Sequence, residues 1–292
     1  MKFRNSDFFN KILGNKKYKI LFFTAIIMAC IIALCIGIYT QFFYKYSEAD
    51  PLMLGIKFGS IKDTEEINEL KNEFNKLFQN KFIIGNNKIN NINKKQNNKD
   101  IVYTERDLQN EDVNFYQIDI NIPKLNIESD VANKINNEIK SEFYDYANAI
   151  MRKMSGYTVY SVNYSAYLYD NIVSIVIKSS LKEEGRNEKV SIKTYNYNLE
   201  NNEFVEIKEI IEKTDNKENK VQRKINDEIE KYNRNALAVA EEFGSTYTRN
   251  LSSDIYKVEN TEEYFVTDSG KLYIIYPYGN DEYTNEVDIV IF

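Results

Sequence analysis

Residues 157–181, YTVYSVNYSAYLYDNIVSIVIKSSL, decide the fold. Two runs rich in Tyr, Val and Ile flank Asp170-Asn171, a pair that tolerates the positive φ of a tight hairpin turn. The short connection predicts an antiparallel pair. A third run, EKVSIKTYNYNL at 188–199, extends the pair into a meander. Tyr157, Tyr160, Tyr164, Tyr167 and Tyr169 fall on both faces of the first run. Packing within a half-buried sheet and display on a binding face are both open to them.

Upstream, Tyr116, Ile118, Ile120 and Ile122 alternate with polar residues and end at Pro123, the pattern of a half-buried strand. Val131, Ile135, Ile139, Phe143, Ala147, Ile150 and Met154 then recur every three or four residues before Gly156, which predicts a long helix with a glycine stop. Downstream the order repeats. Asn201-Asn202 turns the chain into FVEIKEII, and a second helix carries Val221, Ile225, Ile229, Ala236, Val239, Ala240 and Phe243. After Gly244 come EYFV, the turn Asp268-Ser269-Gly270, KLYIIY and VDIVIF. Each half, 100–200 and 201–292, reads as a helix followed by antiparallel strands. The expected head is therefore α+β, with helices packed on one sheet face in preference to a parallel βαβ arrangement.

Residues 45–99 read as an amphipathic stalk and a linker. Ile67, Leu70, Phe74, Leu77 and Phe78 share one helical face, which suits packing on the head, on a second copy or on a membrane. NNKINNINKKQNNK, after Gly85, has too few apolar residues to pack and reads as a polar linker.

At the N-terminus, residues 20–44 contain no charge. That exceeds the roughly 20 residues needed to cross a bilayer and the roughly 7 to 15 of a signal-peptide core, so a permanent single-pass transmembrane helix is expected. Lys2, Arg4, Lys11, Lys16, Lys17 and Lys19 against Asp7 alone keep the tail, 1–19, cytoplasmic and place the rest outside the cell membrane. Tyr39, Phe42, Phe43 and Tyr44 form an aromatic belt at the outer boundary. Ile27 to Cys30 is a poor lipoprotein box, because the apolar run continues past the cysteine. Ser47 and Ala49 have the small-x-small pattern of a signal-peptidase site, so shedding is an alternative to a plain linker. Ala25, Ala29, Ala33 and Gly37 recur every four residues and would let two spans approach closely as a homodimer.

Both cysteines, Cys30 and Cys35, lie in the span, so the exported part has no disulfide, as suits a Gram-positive envelope. The chain carries −6 overall; the basic tail leaves about −11 on residues 45–292, which argues against nucleic acid as a partner. With no histidine, His-assisted hydrolases and His-ligated zinc sites are excluded. No phosphate loop or dinucleotide turn is present, and no cofactor or metal is expected. A carboxylate-based glycosidase is the enzyme alternative that 44 acidic residues leave standing.

From Glu259 to the C-terminus, eight acids face one base, Lys271. Tyr278, Asp281, Glu282, Tyr283 and Glu286 fall in a loop between the last two strands, where carboxylates beside aromatic rings suit a cationic extracytoplasmic protein.

Four phrases occur in order in the head: DIVYTERD, IDINIPKLNIESDVANKINNEIK, VSIKTYNYNLENNEFVEIKEII and FVTDSGKLYIIYP. Together they resemble the paired domains of unknown function in the ectodomain of the lysozyme-sensing anti-sigma-V factor, related to domains that precede some peptidoglycan deacetylases. The resemblance covers about residues 100–292. It implies a non-catalytic, wall-facing binding or sensing module, with a structural, self-assembling envelope protein as the alternative. KEEGRNEK at 182–189 stands where those domains carry Gly-Gly-Ala-His, and the cytoplasmic tail is too short for a sigma-binding segment.

Overall fold

The computed structural model describes residues 61–88, 92–153, 156–243, 247–279 and 284–292. The span at 20–44 and its ladder of small residues lie outside these. Among the described residues, no helix is long and apolar enough to cross a membrane.

Helix α1 (Ile61–Asn75) leads to a short β1 (Lys81–Ile83). Strands β2 (Val102–Asp112) and β3 (Tyr116–Leu125) form a hairpin. A long helical segment follows: α2 (Asp130–Ile139), a π turn (Lys140–Tyr144) and α3 (Asp145–Arg152). Next come β4 (Thr158–Tyr169), β5 (Ile172–Glu183) and β6 (Lys189–Asn198), then a two-residue β7 (Glu203–Phe204). Helices α4 (Ile207–Lys213) and α5 (Glu218–Phe243) precede the closing strands β8 (Glu263–Val266), β9 (Leu272–Pro277) and β10 (Val287–Ile291).

The fold is α+β and mostly antiparallel. β2 to β7 lie in sequential order in one sheet, and β8 to β10 form a separate three-stranded sheet. The long hairpin forms as expected, with Tyr160 opposite Leu181 and Ala166 opposite Ile175, and Asp170 takes φ 54 at its tip. Asn202 and Gly270 also take positive φ at the expected turns.

One expectation is corrected. β3 and β4 pair in parallel, Tyr116 with Thr158 through Ile120 with Val162, so the first helical segment makes a βαβ crossover. Parallel neighbours need such a long connection, and residues 130–152 supply it. β1 pairs, also in parallel, with the later half of the same β4 edge. The helices therefore do not share one sheet face. α2 and α3 cover the outer face of the large sheet through Ile135, Ile139, Phe143, Ala147 and Ile150. α5 covers the outer face of the small sheet through Val221, Ile225 and Ile229. Between the sheets, Tyr167, Val176 and Ile192 meet Phe265, Tyr273, Ile275 and Ile289.

The π turn has a physical reason in the sequence. Ile135, Ile139, Phe143 and Ala147 are separated by four residues each, whereas an α-helical turn takes about 3.6. Three such steps would rotate the apolar stripe off the sheet; a wider turn at 140–144 holds it in place. Ser129 caps the start, its Oγ accepting from the Ala132 N–H at 3.0 Å.

The segment read as stalk and linker is tied to the head. Ile67 and Phe74 of α1 are buried, and Lys231 of α5 reaches Glu66 at 2.7 Å. In the polar stretch after Gly85, Ile92 packs against the core and amides add further ties. Asn87 Nδ2 donates to the Leu168 and Asp268 carbonyls at 2.8 and 2.9 Å, and buried Asn126 donates to the Gln96 carbonyl at 2.8 Å. Of the three surfaces open to the stripe of α1, the head is the one it meets.

Candidate functional site

Of the five loop residues singled out by charge, two are described, and neither is a free surface group. Asp281, Glu282 and Tyr283 lie outside the described residues. Tyr278 is buried, its hydroxyl 2.8 Å from that of Tyr256 and donating to Asp288 Oδ2 at 3.0 Å. Glu286 is paired with Lys71 at 3.1 Å and with Arg249 at 3.2 Å. Counting local charge misses the pairing of Glu286 because its cations come from residues far away in the chain.

Arg249 is the centre of this cluster, and nothing in the sequence around it announced the role. Its side chain is 3 % exposed and that of Asp288 is fully buried. The guanidinium donates through Nε to Asp288 Oδ2 at 2.8 Å, through Nη2 to Oδ1 at 2.5 Å, and through Nη1 to the Tyr247 carbonyl at 2.7 Å. The rings of Tyr232, Tyr247 and Tyr278 surround it at 5.5 to 5.7 Å from its central carbon. Burial alone would lower the Arg249 pKa, but hydrogen bonding and attraction to Asp288 carry it upward. Burial raises that of Asp288 in spite of Arg249. Burial would also raise that of Glu286, but Lys71 and Arg249 together hold it down. Tyr232 adds an edge cap: its hydroxyl donates to the Ile289 carbonyl at 3.3 Å and accepts from the Ile289 N–H at 3.2 Å, on the open side of β10. This cluster is a clamp that joins α1, α5 and β10, closed to a ligand.

Glu263, another of the acids counted in the C-terminal run, is also spent inside. Its carboxylate accepts from Lys193 Nζ at 2.8 Å, from the Thr194 N–H at 2.7 Å and from Thr194 Oγ1 at 3.1 Å, covering the edge of β6. Burial pushes its pKa up against these donors, and burial does the same to nearby Glu142. Among the described residues, no group of three or more acidic, Cys or His side chains is placed to hold a metal ion.

One concave surface that stays open is a groove of about 540 Å³. Two cross-strand rows of the large sheet contribute to its lining. In one row Lys178 stands between Asn163 and Ile192; in the next, Ser180 stands between Ser161 and Val190. Phe74 and Phe78 of the α1 region wall one side, packed edge to face at 5.2 Å. Val287 and Ile289 wall the other. Its size falls within the range of small-ligand sites, and its mix of apolar wall and convergent polar groups matches their usual chemistry. No sequence signal marked it, because its residues come from α1, three strands and β10.

The tyrosines of 157–169 mostly pack. Tyr160, Tyr164 and Tyr167 are buried and Tyr157 and Tyr169 half-buried. Burial pushes the Tyr167 phenol up to about 12.

No family model matches the chain, and neither does any curated protein. Among solved structures, one from Pseudomonas aeruginosa PAO1 aligns at 12 % identity and TM-score 0.37, over 65 % of this chain and 85 % of its own. Another, from Bacteroides fragilis, aligns at 13 % identity and TM-score 0.34, over 66 % of this chain and 92 % of its own. Both are DUF3298 family proteins, a domain of unknown function.

Proposed function

We propose that this chain is a non-catalytic recognition head, held outside the cell by the span at 20–44, that binds a protein or a wall component. The observation that carries this reading is the open groove. Its polar groups are amides, hydroxyls, two lysines held by Asn75 and by Glu286, and the exposed Glu188 held by the Ser180 hydroxyl, a set suited to orienting a ligand. The resemblance of residues 100–292 to the anti-sigma-V ectodomain supports the same reading, and so does the charge bias across the span.

The test uses the full chain in detergent, titrated with solubilised wall fragments and, separately, with a basic wall-lytic protein. One of the two is expected to bind saturably and to be recovered with unchanged mass. Recovery of a cleaved or deacylated fragment in amounts exceeding the protein would overturn the reading in favour of an enzyme.

A further inference from the structure

We infer that the groove is an oxyanion-binding site centred on Lys178, taking a small ligand with a carboxylate or phosphate beside an apolar group. The inference rests on the recognition reading and names the chemistry that the groove selects.

Two lysines line the groove, and their situations differ. Lys71 is paired with Glu286 at 3.1 Å. Lys178 donates to Asn75 Oδ1 at 2.6 Å and lies 5.8 Å from the centre of the Phe78 ring. Among the described residues, no carboxylate stands within ion-pair distance of it. Glu188, the acid that shares the groove, is solvent-exposed and accepts from the Ser180 hydroxyl. Lys178 is half-buried on the sheet face, and burial pulls its pKa down. A half-buried cation beside an aromatic ring, with an amide as its hydrogen-bond partner and Glu188 attracting it only from beyond ion-pair distance, gains from an incoming anion. The low polarity of the surroundings strengthens that attraction over its value in water.

The neighbours define the rest of the ligand. The half-buried Phe78 ring beside Lys178 offers apolar contact, while Ser161 and Asn163 on β4 add polar groups to the lining. An anionic group at Lys178 with an apolar arm toward Phe78 uses all of these.

The experiment is a calorimetric titration of the full chain in detergent with N-acetyl-leucine, its neutral amide N-acetyl-leucinamide, and glycerol 3-phosphate. At least one of the two anions is expected to bind about tenfold or more tightly than the neutral amide, the difference made by one charged hydrogen bond. Tighter binding of N-acetyl-leucine assigns the anion to a peptide terminus; tighter binding of glycerol 3-phosphate assigns it to a phosphate-bearing polymer. Lys178→Met should remove the preference for the anion and Lys178→Arg should keep it. Equal binding of the amide and both anions to the unaltered protein, or no binding of any, would overturn the inference without recourse to a variant. An anion preference that survives Lys178→Met would overturn it as well. The result is independent of the wall-fragment test: retained recognition without an anion preference defeats the groove assignment alone, and turnover of a fragment defeats the recognition reading alone.

Discussion

Replacing Arg249 by Met is expected to destabilise the protein by about 3–5 kcal/mol, the usual cost of removing one partner of a buried ion pair. The substitution strands the fully buried Asp288, which then keeps only the Tyr278 hydroxyl, and releases the Tyr247 carbonyl and one partner of Glu286. For a domain of this size the midpoint of thermal unfolding should fall by about 10 °C. The loss has a definite pH dependence. Without Arg249 the folded protein resists ionising Asp288, so the Asp288 pKa in the fold rises further above its unfolded value. Destabilisation therefore grows as pH rises through that raised value and shrinks in acid, where protonation removes the bare charge. Adding Asp288→Asn should recover part of the loss, because the stranded charge is then gone. Equal stability of Arg249→Met and the unaltered protein near neutral pH would mean that the clamp does not hold β10 to α5.

Phe265→Ala is expected to cost about 3–5 kcal/mol as well, from lost burial and from the cavity left behind. Phe265 is fully buried between the sheets. It stacks on Tyr273 with ring centres 4.7 Å apart, and on Tyr167 at 5.7 Å. Phe74 of α1 approaches Tyr273 in turn, at 6.3 Å, so the cavity should also loosen α1 and the groove it walls. Hydrogen exchange in residues 61–75 should rise in this variant. Truncating exposed Val113 to Ala, by contrast, should change stability by less than about 0.5 kcal/mol. A Phe265→Ala protein as stable as the Val113→Ala control would rule out the packing of one sheet on the other.

Much of the fold was legible because hydrophobic period and turn chemistry agreed. The hairpin at 157–181 announced itself through Asp170-Asn171, and the helix at 130–152 through its buried isoleucines. β2 was hidden. It is an edge strand whose outward positions carry Glu105, Asp107, Gln109 and Glu111, so no apolar alternation survives to be read. The parallel pairing of β3 with β4 was also out of reach, since local pattern fixes a strand but not its neighbour. The helix α1 was visible, yet its docking partner was not: an amphipathic stripe looks the same whether it meets the head, a copy or a membrane. The candidate site was the least legible part. Glu263, Glu286 and Asp288 looked like part of a charged surface because Lys71, Lys193 and Arg249 arrive from elsewhere in the chain. The groove depends on how α1, three strands of the large sheet and β10 come together, a property of packing that no stretch of sequence records.

An exported head is the claim on which the functional reading rests, and one labelling measurement tests it directly. The described residues contain no cysteine, and Val113, 79 % exposed beyond the end of β2, accepts a new one without loss of packing. A Val113→Cys protein in intact, wall-stripped cells, treated with a membrane-impermeant maleimide, should be labelled at the new thiol as fully as in lysed cells, while Cys30 and Cys35 stay unlabelled in the intact ones. Labelling of the introduced thiol only after lysis would place the head inside the cell and contradict the account.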